Sequence, residues 1–201
     1  MATRTREREL ALEAGKKLGV FLGGVELVYT ADFDHSAPAG GTQLYANPHL
    51  SGEVVATMSS TDGNGSAVDR FVQHTHPGML YNKTFGSAGS WMAVALGAGR
   101  ALRVSYYTLR HDQHGTQQRG GVLRNWRLEG SPDGARWSAD REHTDDAGLA
   151  NATMVTASWP VNAAEAFQHF RILQTGKNSK GTDQDHLMCA GIELYGRLRE
   201  D

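Results

Sequence analysis

Cationic, amide and imidazole side chains are concentrated in three polar segments of the sequence, at residues 74–83, 110–119 and 177–186. Guanidinium and ammonium groups bind carboxylates and phosphates, and amides with an aromatic ring suit the hydroxyl groups of a sugar. The mixture therefore favours binding of a carboxylate, of an acidic or phosphorylated peptide, or of a sugar. The candidate ligand-binding residues are His74, His76, Tyr81, Asn82, Lys83, Arg110, His111, Arg119, Lys177, Asn178 and His186.

The sequence shows no motif for catalysis. Its single cysteine, Cys189, lies in the apolar stretch 187–191, where burial would raise the thiol pKa and keep the group inert. The scattered Ser, His and Asp residues form no nucleophile elbow, and no carboxylate pair suggests a glycoside hydrolase. The run 97–99 imitates a dinucleotide fingerprint, but Leu102 stands where the third glycine is needed. We therefore predict that the chain is not an enzyme.

The nine histidines raise the question of a metal site, which their spacing does not favour. His74 and His76 would share one face of a strand, but no cysteine joins them, and a closed zinc site needs four ligands. We predict no cofactor and no transition-metal site. A structural calcium ion stays open as an alternative, because Asp32, Asp34 and nearby loop carbonyls offer the oxygen ligands that calcium prefers.

Composition argues against several other classes of function. Acidic and basic residues are mixed, with a formal net charge of -2, which does not favour nucleic acid or an anionic membrane as a partner. The longest apolar run, 91–96, has the length of a strand, so no membrane span is expected. The length of 201 residues suits one domain. A lone cysteine and the lack of an apolar leader indicate a cytoplasmic protein.

Short strands are the elements that would position the candidate segments. The block 123–134 alternates, with Trp126 and Leu128 on one face and Arg127 on the other, before a Ser-Pro-Asp-Gly turn and a second strand through 136–137. Because residues 4–18 are rich in helix formers, we predict a short N-terminal helix in an extension, 1–24, followed by an all-β sandwich, 25–201. Further strands are predicted at 25–29, 54–58, 91–96 (a central strand), 104–110, 155–159, 170–174 and 191–195, with one helical turn at 163–167.

The aromatic and cationic residues of these strands have two possible roles. We predict that Trp126 and Trp137 lie in the core, because a buried tryptophan is commoner than an exposed ligand platform. Arg110, Arg124 and Arg171 either hold strands together by ion pairing or contact a ligand. The acidic partners available to them are Glu129, Glu142 and Glu193.

Several segments carry a resemblance to a known family: 47–48, 52–60, 90–91, 96–97, 107–111, 123–134, 141–143, 170–179 and 191–196. Together they resemble the F5/8 type C, or discoidin, family of galactose-binding-like jelly-roll β-sandwiches. The resemblance is closest to the intracellular branch found beside BTB and HECT ubiquitin-ligase modules. Secreted members usually join their ends with a disulfide, which a chain with one cysteine cannot form internally.

The resemblance implies a non-catalytic recognition module that binds a protein or peptide through loops at one end of the sandwich. It further implies a role as a ubiquitin-ligase-associated adaptor, with a partner that supplies the catalytic part. Two alternatives stay open. One is a carbohydrate-binding, lectin-like module with Tyr81 or Tyr45 as the stacking aromatic, and the other is a structural subunit that docks through the N-terminal helix.

Overall fold

The computed structural model describes residues 26–29, 47–63, 66–73, 82–112, 121–181 and 186–200. Within these ranges the chain forms nine β-strands and one short 3-10 helix, Val68–Val72. The strands are β1 Glu26–Tyr29, β2 Val55–Met58, β3 Trp91–Ala95, β4 Arg100–Arg110, β5 Trp126–Ser131, β6 Ser138–His143, β7 Thr156–Pro160, β8 His169–Gln174 and β9 Gly191–Glu200. The predicted N-terminal helix lies outside the described residues.

The strands pair into two antiparallel sheets. The four-stranded sheet has the order β1-β9-β4-β7, and the five-stranded sheet has the order β2-β3-β8-β5-β6. β3 pairs with β2 on one side and β8 on the other, as expected for the apolar segment 91–96. Most neighbours in the sheets are distant in sequence, so long-range pairing determines the fold. The predicted all-β sandwich is confirmed.

The core lies between the sheets and is filled by alternate residues of each strand. On β5, Trp126 and Leu128 are fully buried, whereas Arg127 between them is partly exposed on the outer face. The same alternation on β8 buries Phe170 and Ile172. Burying apolar surface contributes about 25 cal/mol per Å², so these inward side chains are the main source of stability.

A chain of polar contacts crosses the centre of the core. The Trp126 indole Nε1 donates to the Tyr107 hydroxyl oxygen at 2.9 Å, and that oxygen lies 2.6 Å from His143 Nε2. His143 Nδ1 lies 2.6 Å from Asp146 Oδ2, just beyond the end of β6. Burial raises the pKa of Tyr107, so its hydroxyl keeps the proton that it donates to His143. The contacts join β4 of one sheet to β5 and β6 of the other.

Two details of the predicted hairpin are wrong. β6 begins at Ser138 rather than at residue 136, because the Asp133 carboxylate accepts hydrogen bonds from the backbone N–H groups of residues 135–136 and prolongs the turn. Trp137 is not a core residue. It is partly exposed on the outer face of the five-stranded sheet, where the Arg171 guanidinium lies 4.2 Å from its ring centroid.

The segment 163–167 does not form the predicted helical turn. Phe167 instead exchanges two backbone hydrogen bonds with Leu102 of β4, at 2.8 and 3.0 Å. Gly130 makes room for the Phe167 ring, since a Cβ at that glycine would lie 2.1 Å from Phe167 Cδ2. Pairing with β4 and burial of the ring outweigh the helix propensity of a segment this short.

We expect Tyr107→Phe to destabilise the sandwich without changing its shape. The substitution leaves the Trp126 N–H and the His143 Nε2 buried without the hydroxyl that joins them, which costs about 1–3 kcal/mol. Urea unfolding followed by tryptophan fluorescence measures the change. Tyr106→Phe is the matched control, because the Tyr106 side chain lies on the outer face and is partly exposed. Equal stability of Tyr107→Phe and wild type would contradict the importance of the polar chain.

Candidate functional site

The strand registers bring four connections to one end of the sandwich. The last residue of β4, Arg110, pairs with the first residue of β9, Gly191, and the same end holds the Trp126–Gln174 pair of β5 and β8. β3 begins at this end as well. We call the described parts of the connections 59–90, 111–125, 144–155 and 175–190 the loop end. The three polar segments that the sequence singles out fall in or directly before three of these connections.

Four of the eleven candidate residues lie outside the described residues and stay predictions. They are His74, His76, Tyr81 and Arg119. The same is true of the calcium candidates Asp32 and Asp34, and of the alternative stacking aromatic Tyr45. Seven candidates are described, and their surroundings show which of them are accessible to a ligand.

Asn82 and Lys83 connect loops to one another. The Asn82 amide donates to the Cys189 carbonyl at 2.8 Å, and the Cys189 N–H donates to the Asn82 carbonyl at 3.1 Å. Lys83 Nζ lies 2.8 Å from Asp62 Oδ2, and little of either side chain is exposed. Asn82 is fully buried. Both side chains thus position the loops rather than face solvent.

Arg110 is likewise committed to backbone groups. Its guanidinium donates through Nε and Nη2 to the Ala190 carbonyl, at 3.2 and 2.7 Å, and through Nη2 to the Gln73 carbonyl at 2.8 Å. The residue is buried, with 3% of its surface exposed. Arg110 therefore fixes the start of β9 and the end of the 3-10 helix segment against the end of β4.

The other two framework arginines also have internal partners. Arg171 Nε and Nη2 lie 2.7 and 2.6 Å from Glu129 Oε2, which confirms the predicted ion pairing for this residue. Arg124 Nη1 instead donates to the carbonyls of Asp146 and Leu149, at 3.0 and 2.9 Å. A guanidinium donates hydrogen bonds to carbonyl oxygens as well as to carboxylates. The sequence alone therefore does not show which kind of acceptor an arginine binds.

The segment 177–186 combines buried and accessible side chains. Asn178 is buried, its Oδ1 accepts from the Lys180 N–H at 3.0 Å, and Gly121 passes so close that a Cβ there would lie 2.0 Å from this oxygen. His186 Nδ1 lies 2.7 Å from the Thr84 carbonyl oxygen, and the residue is partly exposed. Lys177 is exposed, so it is the described candidate that is open to a ligand.

Two residues that the sequence reasoning missed hold the remaining loops. Asn125 Nδ2 donates to the Lys177 carbonyl at 2.8 Å, and its Oδ1 accepts from the Asp145 N–H at 2.9 Å. Asp146 Oδ1 accepts from the Gly148 N–H at 2.7 Å. Burial alone would raise the pKa of Asp146, but hydrogen bonds from Gly148 and His143 outweigh it, so the pKa is lowered. The run Asp-Asp-Ala-Gly at 145–148 was an available turn signal.

The loop end has exposed apolar and charged side chains. Phe85 is a large apolar side chain with 54% of its surface exposed, and its N–H donates to Ser60 Oγ at 3.0 Å. Lys177 and Lys180 are exposed on the 175–181 segment, and Asp145 is exposed beyond β6. One aromatic ring, two ammonium groups and one carboxylate are thus presented by loops that the buried polar residues hold in place.

The described residues include one thiol, and three or more metal-binding side chains do not come together among them. Burial raises the pKa of the Cys189 thiol to about 12, so it stays protonated. No group of three or more His, Cys, Asp or Glu residues in the described ranges is arranged to hold a metal ion. In the same part of the chain, no helix has the length and apolar character needed to cross a membrane.

Curated proteins with similar sequences are much longer than this chain. It is 30% identical over 186 residues to a BTB/POZ domain-containing protein of Arabidopsis thaliana, a match that covers 87% of this chain and 22% of that protein. It is 32% identical over 184 residues to the E3 ubiquitin-protein ligase hecd-1 of Caenorhabditis elegans, a match that covers 87% of this chain and 7% of the ligase. No family model matches the chain.

Solved structures with a similar shape include two carbohydrate-related proteins. CpGH89CBM32-5 from Clostridium perfringens, in complex with GalNAc-beta-1,3-galactose, superposes with a TM-score of 0.54 and 15% identity, covering 75% of this chain and 99% of that one. The fucolectin from striped bass, Morone saxatilis, gives a TM-score of 0.55 and 13% identity, and the match covers 77% of this chain and 48% of the fucolectin chain. Identities this low support a shared fold and nothing finer.

We expect His111 to make the stability of the loop end depend on pH. Burial lowers the pKa of His111 to about 4, and the charge of Arg124 acts in the same direction. An unfolded histidine has a pKa of about 6.5, so the unfolded chain takes up the proton first as the pH falls. Stability is therefore complete above about pH 6.5 and is lost toward pH 4, by about 3 kcal/mol at most from this residue.

Urea unfolding of wild type and His111→Leu between pH 7 and pH 4.5 measures this dependence. Leucine fills a buried site and has no proton to bind, so the variant should lose less stability than wild type over this interval. Any constant difference between the two proteins reflects packing and does not affect the comparison of slopes. Parallel curves would show that His111 is not the group responsible.

Proposed function

We propose, from the discoidin-like (F5/8 type C) β-sandwich fold of this chain and its sequence likeness to segments of BTB proteins and HECT ubiquitin ligases, that it is a non-catalytic recognition module. Its ligand is a protein or peptide, bound at the loop end. The observation that carries the proposal is that the residues of the loop end fall into two groups. Buried Asn82, Arg110 and Asn178 hold the loops, and Phe85 and Lys177 are exposed to solvent.

The chemistry of the exposed groups supports a peptide ligand. Lys177 and Lys180 offer ammonium donors to acidic or phosphorylated side chains, and Phe85 offers an apolar contact beside them. A rigid framework reduces the ordering cost of binding, because the loops are held before the ligand arrives. The candidates His74, His76, Tyr81 and Arg119 lie outside the described residues and stay predictions for the same ligand.

The relatives support a setting in ubiquitin ligation. The chain spans only 22% and 7% of the lengths of the two curated relatives, so a role in ubiquitin ligation is a proposal for this chain. We infer that this chain acts in the cytoplasm as an adaptor that presents a bound protein to a ligase. Its lone cysteine, Cys189, is buried and protonated, which suits a reducing compartment.

Carbohydrate binding is the second candidate. Phe85 is exposed at the loop end and has the ring face that stacks on sugars, in addition to the predicted Tyr81. One structural neighbour was solved with GalNAc-beta-1,3-galactose bound. A glycan array in which binding is lost on Phe85→Ser would favour this candidate, and an array without hits would remove it.

We expect substitutions at the loop end to reduce capture of the protein ligand that this surface binds. The tagged chain is expressed in its native cell, and co-purified proteins are quantified by mass spectrometry. Lys177→Glu combined with Lys180→Glu reverses two exposed charges and should reduce recovery of the bound protein ligand by about fivefold or more, because reversed charges repel an acidic ligand. Phe85→Ser should act in the same direction by removing an apolar contact.

Arg136→Glu is the matched control, since Arg136 is an exposed arginine in the β5–β6 turn at the opposite end of the sandwich. Capture should be unchanged in this variant. Recovery of no ligase component by the wild-type chain would contradict the ligase setting. Equal recovery by all variants would contradict the loop end as the binding surface.

A further inference from the structure

Three arginines lie together on the outer face of the four-stranded sheet, at the end opposite to the loop end. Arg103 of β4 pairs directly with Arg197 of β9, and Arg199 follows two residues later, opposite Ala101. All three arginines are exposed. We call Arg103, Arg197 and Arg199 the basic strand surface.

The arrangement is unfavourable for the isolated chain. Residues directly opposite one another in antiparallel strands have Cβ atoms about 4.5–5.5 Å apart, and like charges there are destabilising. Within the described residues, none of these three guanidinium groups forms an ion pair, whereas Arg171 and Arg136 are paired with Glu129 and Asp133. A repulsive pair without a neutralising partner among the described residues calls for an acidic partner, which we place on another molecule.

We propose that the basic strand surface binds an acidic peptide segment in an extended conformation, with carboxylates on alternate residues. Arg197 and Arg199 are two residues apart on one strand, which separates them by about 6.6–6.8 Å. Alternate side chains of an extended peptide repeat at the same distance. Arg103 and Arg197 hold one carboxylate from two sides, and Arg199 takes the next, with guanidinium groups providing paired donors to each.

The extent of the surface favours a short acidic peptide over a nucleic acid or a membrane. The next outward residue along β9 is Tyr195, whose hydroxyl donates to the Glu193 carboxylate, so the positive charge ends there. The whole chain has a formal net charge of -2 and gives no long-range attraction to a polyanion. Three guanidinium groups match two or three carboxylates.

This site is separate from the loop end, so one does not depend on the other. Arg103 and Arg197 lie near the end of the sheet where β4 starts and β9 finishes, whereas the proposed loop-end contacts lie beyond Arg110 and Gly191. The two surfaces permit simultaneous binding of two partners, one at each end of the sandwich. Loss of one activity leaves the other testable.

Fluorescence anisotropy with a labelled peptide of alternating glutamate and threonine tests the proposal. A second peptide of the same composition, with all glutamates in one block, controls for charge alone. We expect the wild-type chain to bind the alternating peptide more tightly than the block peptide. Arg197→Thr should weaken binding by about tenfold, since it removes one of the two arginines that hold the first carboxylate.

Arg136→Thr, an exposed arginine outside the surface, is the matched control and should bind within about twofold of wild type. Thermal unfolding separates binding from folding. Arg197→Thr removes an opposed charge and adds a residue that favours strands, so its Tm should equal or exceed that of wild type.

Four results would overturn the proposal. They are no binding of the alternating peptide by wild type, equal affinity for the two peptides, an equal loss in Arg136→Thr, and a lower Tm in Arg197→Thr. A single-stranded oligonucleotide or a phosphatidylserine vesicle that binds more tightly than the alternating peptide would also overturn it, because the surface would then serve another class of partner.

Discussion

The hydrogen-bond chain from Trp126 through Tyr107 and His143 to Asp146 is the contact on which the remaining structure depends. The direction of hydrogen bonding is fixed at the Trp126 end, because the indole N–H can only donate. Tyr107 accepts from it. A neutral His143 donates from Nδ1 to the Asp146 carboxylate, which only accepts, and this leaves Nε2 to accept from the Tyr107 hydroxyl. Burial lowers the pKa of His143, which favours this neutral form even though Asp146 opposes it. A buried polar chain is stable only when every member is satisfied.

The same contacts connect the core to the loop end. The Asp146 carboxylate accepts hydrogen bonds from His143 Nδ1 and from the Gly148 N–H, and Arg124 donates to the Asp146 carbonyl. The loop after β6 is therefore anchored in the centre of the sandwich. Asn125 extends the anchoring to the 175–181 segment through the Lys177 carbonyl. These polar side chains thus connect the core of the sandwich to the loop end.

Much of the framework could be predicted from sequence because it follows from local patterns. Alternation of polar and apolar residues predicted β5 and the burial of Trp126, and an apolar run predicted β3. Local patterns failed where distant contacts decide the outcome. Phe167 pairs with Leu102, and Trp137 lies under Arg171, a partner from a strand that the sequence does not place beside it.

The candidate site was less predictable for the same reason. Asn82 and Asn178 have the chemistry of ligand-binding residues, but their Nδ2 groups donate to the backbone carbonyls of Cys189 and His186. A polar residue in a loop gives no sequence signal that separates a ligand contact from a loop anchor. Lys177 and Asn178 are adjacent in sequence, and only the fold shows that one is exposed and the other buried.

Hydrogen–deuterium exchange of the free chain tests most directly the claim that the loop end is held in place before any ligand binds. The backbone N–H of Asp146 donates to the Arg124 carbonyl, that of Thr175 to the Asn125 carbonyl and that of Cys189 to the Asn82 carbonyl. We predict that these three amides exchange slowly, at rates close to those of the core strands. Exchange as fast as that of an unstructured peptide would contradict the account, because the loops would then be ordered only by their ligand.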